Sequence, residues 1–596
     1  MDTILGIDLG TTNSEVAVIR DGKAEVLCED GRTILPSVVG LDNEGRLLVG
    51  APAQNQWVLA PERTVRSVKR RMGQEETVRL GDQQYSPQEI SAIILRELKD
   101  RAERQLGSPA RKAVITVPAF FSETQREATR EAGELAGLEV VRIINEPTAA
   151  SLTYDSHPEE MERLLVYDLG GGTFDVSIVQ IEQDVVEVLS SHGDTHLGGD
   201  DFDQLLLEHV CDDFAEEHGV DLRRSPAARS RALRAVEEAK QTLSEEPFAK
   251  IEEEFIAEKD GLPLHLKVEV SRSQYEDLIE PLLLKTLQCV DETLSDAKLH
   301  ANQIDKVILV GGASRTPLVH RLLEEQLEQP VHAEIDPDLC VAMGAAIQGG
   351  LISGLDVGPV LVDITPHTLG IRTAGTLQGF LSSNCFSAVI ERNTPLPASR
   401  SEVYGTMIDR QETARISVFQ GEDDDVRHND PVGEFTIDGL AEVERGNEIF
   451  VRFDLDLDGI LKVTATERAT GREKQLTIDN AVSRFRTSNR KDALKRLEAE
   501  FFSNADSPAE GDPCGDVPAG TTPVVETPPE MDKGVSQYEE LIAKSQQLAP
   551  DANPEDAEEI RSLVGRLREA VAEGSQTKIE RTRAELEDII FYLQDA

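Results

Sequence analysis

Apolar and polar residues alternate in two short runs at the start of the chain. The first run covers residues 4 to 9 and the second covers residues 15 to 19, with Gly10, Thr11 and Thr12 between them. Alternation with a period of two is typical of strands, and small polar residues are typical of tight turns. Taken by itself, this stretch predicts a β-hairpin.

The same pattern returns at LLVYDLGGGTFDVSIV (164–179), where Asp168 corresponds to Asp8 of the first copy. A third apolar run ends in glycines at KVILVGGASRTP (306–317). Glycine lets backbone N–H groups approach a phosphate chain closely, and threonine hydroxyls add donors. The repeat therefore predicts two lobes derived by duplication, each presenting a loop to a nucleotide in the cleft between them. The chain contains no GxxxxGK[ST] motif, which excludes a P-loop enzyme.

Asp8 and Asp168 end their strands at the loops that would face a triphosphate. Carboxylates and phosphates repel each other unless a cation lies between them, and Mg²⁺ prefers oxygen ligands and retains several waters. We therefore expect these two carboxylates to hold the hydration shell of Mg²⁺. The alternative is that both aspartates only cap helices or form turns.

Strand-like and helix-like segments alternate up to about residue 355, which is an α/β pattern. In the helix-like segment 122–138, Ser122 and Gln125 fit a capping box. From residue 366 to about 482, period-two segments dominate and predict an antiparallel β-sandwich. The remainder is a short helical piece, a Pro- and Gly-rich segment that we expect to be disordered, and a helical tail.

The 596 residues carry a formal net charge of −50, from 111 acidic and 61 basic side chains. This charge repels polyanions and so disfavours nucleic acid as a partner. The six cysteines form no CxxC motif, which is typical of a reducing compartment. No apolar run reaches the roughly 18 residues that a membrane span needs, and no secretory leader is recognisable. We expect a cytoplasmic protein that binds neither nucleic acid nor membrane.

Several ordered motifs resemble those of the DnaK-type chaperones, the seventy-kilodalton heat-shock protein family. They include IDLGTTNS, INEPTAA (144–150), DLGGGTFDVS (168–177), LGGDDFD (197–203) and VGGASRTP (310–317). The resemblance continues through LVDITPHTLGI (361–371), ERNTPLP (391–397) and DLDGILKVTATE (456–467), and it covers roughly residues 1 to 485. The segment YGTM (404–407) and the shortened tail are more similar to the HscC-like branch of the family.

The resemblance implies a multidomain chain. The implied parts are an actin-like, two-lobed α/β ATPase domain (1–357), an apolar interdomain linker (358–365), a peptide-binding antiparallel β-sandwich (366–485), a short helix (486–502), a disordered linker (503–534) and a lid-like helical tail (535–596).

The resemblance also assigns residues to ATP hydrolysis. The implied catalytic residues are Asp8, Lys69, Glu146, Asp168 and Thr173. The residues expected to bind ATP or ADP are Gly10, Thr11, Thr12, Asn13, Gly170, Gly171, Gly172, Gly198, Gly199, Glu237, Lys240, Ser244, Gly311, Gly312, Arg315 and Asp338. The implied cation ligands, for Mg²⁺ through water or for a monovalent ion such as K⁺, are Asp8, Asp168 and Asp175.

Three positions in this nucleotide site leave an alternative open or depart from the family pattern. Lys69 lies in a basic run, so it is alternatively a solvated surface residue. Gln241 stands where some family members have an arginine that stacks on adenine, and Ala313 replaces a polar residue. These two departures predict weaker nucleotide binding.

In the sandwich, the resemblance implies a peptide pocket formed by Ile371, Tyr404, Met407 and Ala414. Alternatively, these side chains are simply sandwich core. Ala414 replaces the usual valine, and the arch over the peptide would pair Met407 with Ala374. About eight extra residues lie near GTLQGFLSSNC (375–385).

The resemblance further implies a coupling device and a latch for the lid. The residues implied for the interdomain switch are Val360, Leu361, Val362, Asp363 and Arg142. The alternative for the apolar strip 360–362 is a plain edge strand of the sandwich. Asp409 and Arg445 match the residues that latch the lid.

The function that the sequence favours is an ATP-driven chaperone that binds apolar segments of unfolded proteins. Its implied partners are a J-domain co-chaperone and a nucleotide-exchange factor. Two other classes remain, a small-molecule kinase of the same two-lobed superfamily and an actin-like filament protein. The sandwich argues against the kinase, and the strong negative charge argues against self-association.

Overall fold

The computed structural model describes residues 3–477, except 75, 155–160, 184, 332–335 and 458, together with residues 493, 496, 497 and 566. The chain divides into one compact unit at Met1–Pro508 and another at Ala509–Ala596. The predicted disordered linker (503–534) lies outside the described residues, as does the predicted helical tail (535–596) except for residue 566. All that follows concerns the first unit.

The first lobe is built on a sheet with the strand order β11-β10-β1-β2-β3, with β4 also paired to β2. The strands of this lobe are β1 (Ile4–Leu9), β2 (Asn13–Arg20), β3 (Lys23–Val26), β4 (Leu35–Pro36), β5 (Val39–Leu41), β6 (Leu47–Val49), β7 (Thr64–Val65), β8 (Val78–Leu80), β9 (Gln83–Tyr85), β10 (Lys112–Val117) and β11 (Glu139–Asn145). Its helices are α1 (Ala51–Trp57), α2 (Pro87–Leu106), α3 (Glu123–Leu135) and α4 (Glu146–Leu152). Helix α3 begins at the predicted capping box of Ser122 and Gln125.

The second lobe is built on a sheet with the order β17-β12-β13-β14-β18. Its strands are β12 (Glu162–Leu169), β13 (Phe174–Glu182), β14 (Val185–Asp194), β15 (Phe248–Lys259), β16 (Leu262–Ser271), β17 (Lys306–Val310) and β18 (Val360–Val362). Its helices are α5 (Gly199–His218), α6 (Pro226–Glu245), α7 (Arg272–Asp296), α8 (Pro317–Leu327) and α9 (Cys340–Ile352). Strands β15 and β16 form a separate two-stranded ribbon.

The two lobes repeat one arrangement of strands. In the first, β1 pairs antiparallel with β2 and parallel with β10, and Asp8 lies opposite Glu15. In the second, β12 pairs antiparallel with β13 and parallel with β17, and Asp168 lies opposite Asp175. The duplication that the sequence predicts is therefore present in the register of the strands.

Helix α9 joins the lobes through very close backbone packing. A Cβ atom on Gly344 would lie 1.8 Å from the carbonyl oxygen of Ala149 in α4, and a Cβ on Gly6 of β1 would lie 2.1 Å from the backbone nitrogen of Ala346. Only glycine fits at these two crossings. The helix, the first strand and α4 therefore form one tightly packed base beneath the cleft.

The β-sandwich consists of two four-stranded sheets with the orders β20-β19-β22-β23 and β21-β24-β25-β26. Its strands are β19 (Leu369–Leu377), β20 (Phe380–Ile390), β21 (Ala398–Gly405), β22 (Thr413–Gln420), β23 (Asp430–Asp438), β24 (Glu448–Leu455), β25 (Leu461–Glu467) and β26 (Glu473–Thr477). Side chains from both sheets, such as Val418 and Phe453, are fully buried between them. The alternation in residues 448–467 produces the antiparallel pair β24–β25, as the sequence predicts.

The apolar strip of the linker is a strand of the ATPase domain. Strand β18 pairs in parallel with β14, with Val360 opposite Val185 and Val362 opposite Glu187. The alternative that this strip is an edge strand of the sandwich is wrong, because its hydrogen-bonding partner is the edge of the second-lobe sheet. The chain then turns at Asp363 into the sandwich.

Part of the predicted helix 486–502 is described, and it contacts the first lobe. Ala493 and Leu497 are buried in the apolar core beneath α2. Arg496 forms an ion pair with Glu89 and lies 5.6 Å from the centre of the Tyr85 ring. Among the described residues, no helix combines the length and the apolar character that crossing a membrane requires.

Candidate functional site

A cavity of about 410 Å³ lies between the two lobes, where the two repeated hairpins meet. Most of the predicted catalytic and nucleotide-binding residues line it: Asp8, Gly10, Thr11, Thr12, Asn13, Lys69, Glu146, Asp168, Gly170, Gly171, Thr173, Gly199, Glu237, Lys240, Gly311, Gly312, Arg315 and Asp338. The structure thus brings together residues that are more than 300 positions apart in the sequence.

The two glycine-rich loops touch each other across the cavity. A Cβ atom on Gly171 would lie 2.0 Å from the hydroxyl of Thr12, and a Cβ on Gly172 would lie 2.6 Å from the methyl group of Thr11. Within the second loop, the Gly170 N–H donates to the carbonyl of Thr173 at 3.1 Å. Glycine is needed here for the close approach of the loops.

Three of the predicted nucleotide-binding residues do not line the cavity. Gly172 packs on the first loop, and a Cβ on Gly198 would lie 2.6 Å from the backbone of Gly171, so both shape the loops from behind. The hydroxyl of Ser244 donates to the carbonyl of Lys240 in its own helix at 3.4 Å. These three positions support the site without facing it.

The base of the cavity holds an excess of carboxyl groups. Burial raises the pKa of Asp8, and burial together with repulsion from Glu146 raises the pKa of Asp168 well above its usual value. Burial also raises the pKa of Glu146 to about 7, and it raises that of Asp175, which lies outside the cavity lining, to about 7. Such raised values mean that the site is electrostatically unfavourable for so many negative charges without an added cation.

Lys69 is the ammonium that faces this carboxyl cluster. It is buried, and its Nζ donates to Oε1 of Glu146. Burial by itself would lower the pKa of Lys69, but attraction to Glu146 and Asp8 outweighs burial and raises it. The side chain is therefore a charged group inside the cleft, which contradicts the alternative of a solvated residue in a basic run.

The donor set fits Mg²⁺ held through water. Asp8 and Asp168 end equivalent strands at the same cavity, and their oxygens are ligands of the type that Mg²⁺ prefers. Within the described part of the chain, no three His, Cys, Asp or Glu side chains are close enough to ligate a metal directly. Oxygen donors that face a cavity without forming a cage suit an ion that keeps most of its hydration shell.

The far end of the cavity carries paired cations and anions. Lys240 donates to Asp203 at 2.6 Å and to the carbonyl of Gly199 at 3.1 Å, so it fixes the start of α5. Arg315 donates to Asp338 at 2.7 Å. Gln241 and Ala313 also line this end, so both departures from the family pattern lie where they can affect nucleotide binding.

Arg66, which no sequence motif indicates, bridges the two lobes. Its guanidinium donates to Oε1 of Glu237 at 2.5 Å across the mouth of the cavity and lies 4.2 Å from the centre of the Trp57 ring. No local motif marks this residue, because its partner is 171 positions away in the sequence. The pair therefore links the two lobes directly.

Glu15 was not predicted either, although the repeat contains a signal for it. It lines the cavity, and it occupies in the first hairpin the place that Asp175 occupies in the second. Burial and repulsion from Asp8 raise its pKa well above the usual value. Aligning the two repeats would have identified Glu15.

Two neighbouring residues connect the cavity to the linker. Glu146 contacts Lys69 in the cleft, and the preceding residue, Asn145, donates from Nδ2 to both carboxylate oxygens of Asp363 at 3.0 Å. Arg126 donates to the amide oxygen of Asn145 at 2.6 Å and so orients it. The pKa of Asp363 is raised, because the effect of burial outweighs the opposing effect of the positive charges of Arg126 and Arg142.

Phe120 makes a second connection between the ATPase domain and the sandwich. Its backbone N–H donates to Oδ1 of Asp175 at 2.9 Å, and its carbonyl accepts from Nε2 of His367 at 3.1 Å. The rings of Phe120 and His367 also meet edge to face, 4.5 Å apart. Elsewhere in the interface, Asp296 binds Arg392 at 2.9 Å and Asn393 at 3.0 Å.

The four predicted peptide-pocket residues fall into two groups. Ile371 and Ala414 are buried in the core between the sheets, which fits the alternative of sandwich core. Tyr404 is half-buried, and its hydroxyl lies 3.0 Å from that of Ser387. Met407 is 67% exposed. Nearby, the backbone N–H of Arg445 donates to Asp409 at 2.9 Å, which joins the two residues predicted to latch the lid.

The chain matches the model of a known protein family along nearly its whole length and known chaperones along most of it. The model of the Hsp70 protein family matches residues 4–79 and 75–595. Chaperone protein DnaK of Thermotoga petrophila is 45% identical over 485 residues, which is 80% of this chain and 80% of that protein. The DnaK proteins of Thermotoga maritima and Thermotoga neapolitana show the same identity and coverage.

The chain belongs to the Hsp70 family. It is an ATP-dependent chaperone and an ATPase that uses ATP, ADP and Mg²⁺, and its class binds unfolded polypeptides. The small-molecule kinase and the filament protein are not favoured. The relatives are DnaK proteins, and the HscC-like assignment stays a prediction.

Lys69 provides the first test of the site. In a Lys69→Met variant, we expect ATP hydrolysis in a single turnover to slow by about a hundredfold, because a fixed charge in a phosphoryl-transfer site contributes on this scale. Binding of a fluorescent ADP analogue, measured by equilibrium titration, should change much less. The matched control is Arg71→Met, since Arg71 is an exposed cation of the same basic run. Equal slowing in both variants would contradict a specific role for Lys69.

Arg66 and Glu237 provide the second test. We expect Arg66→Ala to speed release of a fluorescent ADP analogue about tenfold in stopped-flow experiments, because a partly buried ion pair between the lobes must break before they open. Glu237→Gln should act similarly, and the double variant should release ADP no faster than either single one. Additive effects would show that the two residues act independently.

Proposed function

We propose that nucleotide in the cleft controls the peptide affinity of the sandwich through the pair Asn145–Glu146. The observation that supports this proposal is that Asn145 and Glu146 are consecutive residues in the chain. One peptide bond separates a side chain that contacts Lys69 in the cavity from a side chain that holds Asp363 at the end of the linker. A displacement of Glu146 therefore changes the position of Asn145.

The geometry of the cleft supports a separate role in ATP hydrolysis for each group of residues. The glycine-rich loops and Thr11 to Asn13 bind the phosphates, Lys69 stabilises the transferred phosphoryl group, and Glu146 positions or deprotonates the attacking water. Asp8 and Asp168 hold the hydrated Mg²⁺, which supplies neutralising charge when bound. Thr173 adds a hydroxyl donor beside them. We also assign Asp175 to the binding of a monovalent cation such as K⁺.

In the arrangement described here, the linker strand is paired with β14 and the sandwich contacts the ATPase domain. We propose that this is the nucleotide-triphosphate arrangement, in which peptide exchanges quickly. Hydrolysis would change the contacts of Glu146, weaken the bond from Asn145 to Asp363 and release β18. The hydrogen bonds of Phe120 to Asp175 and to His367 would change in the same step.

The sandwich is the proposed client site, with Tyr404 and Met407 contacting an extended apolar peptide and with Ile371 and Ala414 in the core that supports them. Such peptides are recognised through main-chain hydrogen bonds together with a side-chain pocket. We further propose a J-domain co-chaperone that acts near Arg142 and the linker, and a nucleotide-exchange factor that opens the cleft. A cytoplasmic location also remains a proposal.

The linker strand provides the decisive experiment. We expect ATP with Mg²⁺ to accelerate release of a labelled apolar heptapeptide at least about tenfold relative to ADP, since the nucleotide must shift a two-state equilibrium. In a Leu361→Asp/Val362→Asp variant, this acceleration should disappear while peptide binding in ADP persists, because both half-buried side chains would carry charge against β14.

Val360→Asp is the matched control, since the side chain of Val360 is 62% exposed and should tolerate a charge. Undiminished ATP-triggered release in the double variant would show that the linker strand does not couple the domains. If the unaltered protein released the peptide at the same rate in ATP and in ADP, the proposed coupling between the cleft and the sandwich would be wrong.

A further inference from the structure

Two titratable side chains lie at the boundary between the ATPase domain and the sandwich. Glu123 begins helix α3 of the ATPase domain, and His367 precedes strand β19 of the sandwich. The backbone N–H of Glu123 donates to the side-chain oxygen of Gln420 in β22 at 3.2 Å, and Nε2 of His367 donates to the carbonyl of Phe120 at 3.1 Å. Because each residue contacts the other domain, its surroundings change when the sandwich leaves the ATPase domain.

The carboxyl group of Glu123 faces the turn between β24 and β25. A Cβ atom on Gly459 in this turn would lie 3.7 Å from one carboxylate oxygen of Glu123 and 3.9 Å from the other. The charged groups that act on Glu123 are Arg126 and Arg130 of its own helix and Asp456 of the turn. Burial and repulsion from Asp456 outweigh the two arginines and raise the pKa of Glu123 to about 7. The docked arrangement therefore favours the protonated carboxyl group.

The ring of His367 favours the opposite charge state change, from charged to neutral by loss of a proton. It meets the Phe120 ring edge to face, and Phe120 also stacks on His192 of β14 at 6.0 Å. The charged groups that act on His367 are Arg126 of α3 and, within the sandwich, Glu422 and Asp430. Burial and the positive charge of Arg126 outweigh the hydrogen bond to Phe120 and the two carboxylates, and they lower the pKa of His367. The docked arrangement therefore favours the neutral imidazole.

We propose that docking of the sandwich is linked to two opposite proton transfers with solvent, in which Glu123 takes up a proton and His367 gives one up. This inference rests on the proposed function, in which ATP favours the docked arrangement. In the undocked arrangement both side chains return to ordinary pKa values, about 4.3 for glutamate and about 6.5 for histidine. Docking near pH 6 then buries two neutral groups in place of two charged ones, and the number of bound protons hardly changes.

The two groups respond to pH in opposite directions. The contribution of Glu123 to docking is complete below about pH 4.3, where the undocked carboxyl group is also protonated, and it is lost as the pH rises through about 7. The contribution of His367 is complete above about pH 6.5 and is lost as the pH falls through the lower pKa of the docked imidazole. Between these limits the two effects oppose each other, so docking depends less on pH than either group alone would make it.

Two substitutions that remove the titrating group test this linkage in the full-length protein. The ratio of docked to undocked molecules is measured in ATP and Mg²⁺ by energy transfer between dyes on the second lobe and on the sandwich. Relative to the unaltered protein, we expect this ratio to fall about tenfold between pH 8 and pH 5.5 for Glu123→Gln and to rise about fivefold for His367→Gln. The carboxyl groups of the cleft and Asp363 also titrate, but they are common to all the proteins compared, so their effects cancel.

The matched controls are Glu139→Gln in the first lobe and His428→Gln in the sandwich. The side chains of Glu139 and His428 are 64% and 66% exposed. Their ratios to the unaltered protein should change by less than about twofold over the same pH range, because an exposed group keeps its aqueous surroundings in both arrangements. Binding of the heptapeptide in ADP checks that each variant is folded.

A second measurement follows the imidazole itself. In NMR spectra of the full-length protein with labelled histidines, the resonance of His367, assigned by its loss in His367→Gln, should titrate at a lower pH in ATP than in ADP. Constant ratios for both substitutions, or the same titration in both nucleotides, would overturn the proposal and leave the proposed function standing. Energy transfer that does not differ between ATP and ADP in the unaltered protein would instead overturn the proposed function, and this linkage with it.

Discussion

The ion pair between Lys69 and Glu146 lies among carboxyl groups that the two repeated hairpins bring to one place. A single ammonium cannot neutralise Asp8, Glu15, Glu146 and Asp168 together, and burying unpaired carboxylates costs several kcal/mol each. Binding of a cation or a phosphate in the cleft therefore changes the electrostatic free energy of these carboxyl groups. Glu146 shares the single ammonium with this cluster, so a ligand that changes the charge in the cleft also changes the contacts of Glu146.

The surroundings of Glu146 support the proposed coupling between the cleft and the linker. Strand β11 ends at Asn145 and helix α4 starts at Glu146, so both side chains belong to one junction of regular elements. Helix α4 in turn lies against α9 with backbone contact at Gly344. Tightly packed interiors have low compressibility and transmit strain. In the proposed switch, a displacement in the cleft would reach Asp363 through this junction.

The sequence predicts the architecture because hydrophobic periodicity and an internal repeat can be recognised directly in the order of the residues. The hairpins, the duplication and the sandwich follow from alternation and from glycine and aspartate at equivalent places, whereas most of the cavity lining was implied by the resemblance to the DnaK-type chaperones. Arg66 could not be predicted, because its role depends on a partner across the cleft, and the pairing of Val360–Val362 with β14 could not be derived from an apolar strip that fits any sheet edge. Ser244 was assigned to the nucleotide, but its hydroxyl is used within its own helix.

Several of the described contacts between the ATPase domain and the sandwich are polar, and this suits a switch. Asn145 with Asp363, Phe120 with His367, and Asp296 with Arg392 are hydrogen bonds or ion pairs, each of modest net stability. Interfaces of this kind open without exposing a large apolar surface. A ligand needs to favour one state by only about 5 kcal/mol to convert nearly the whole population. Rearranged contacts in a cleft full of buried charge can supply a difference of that size, whereas an apolar interface would hold the domains together in both nucleotide states.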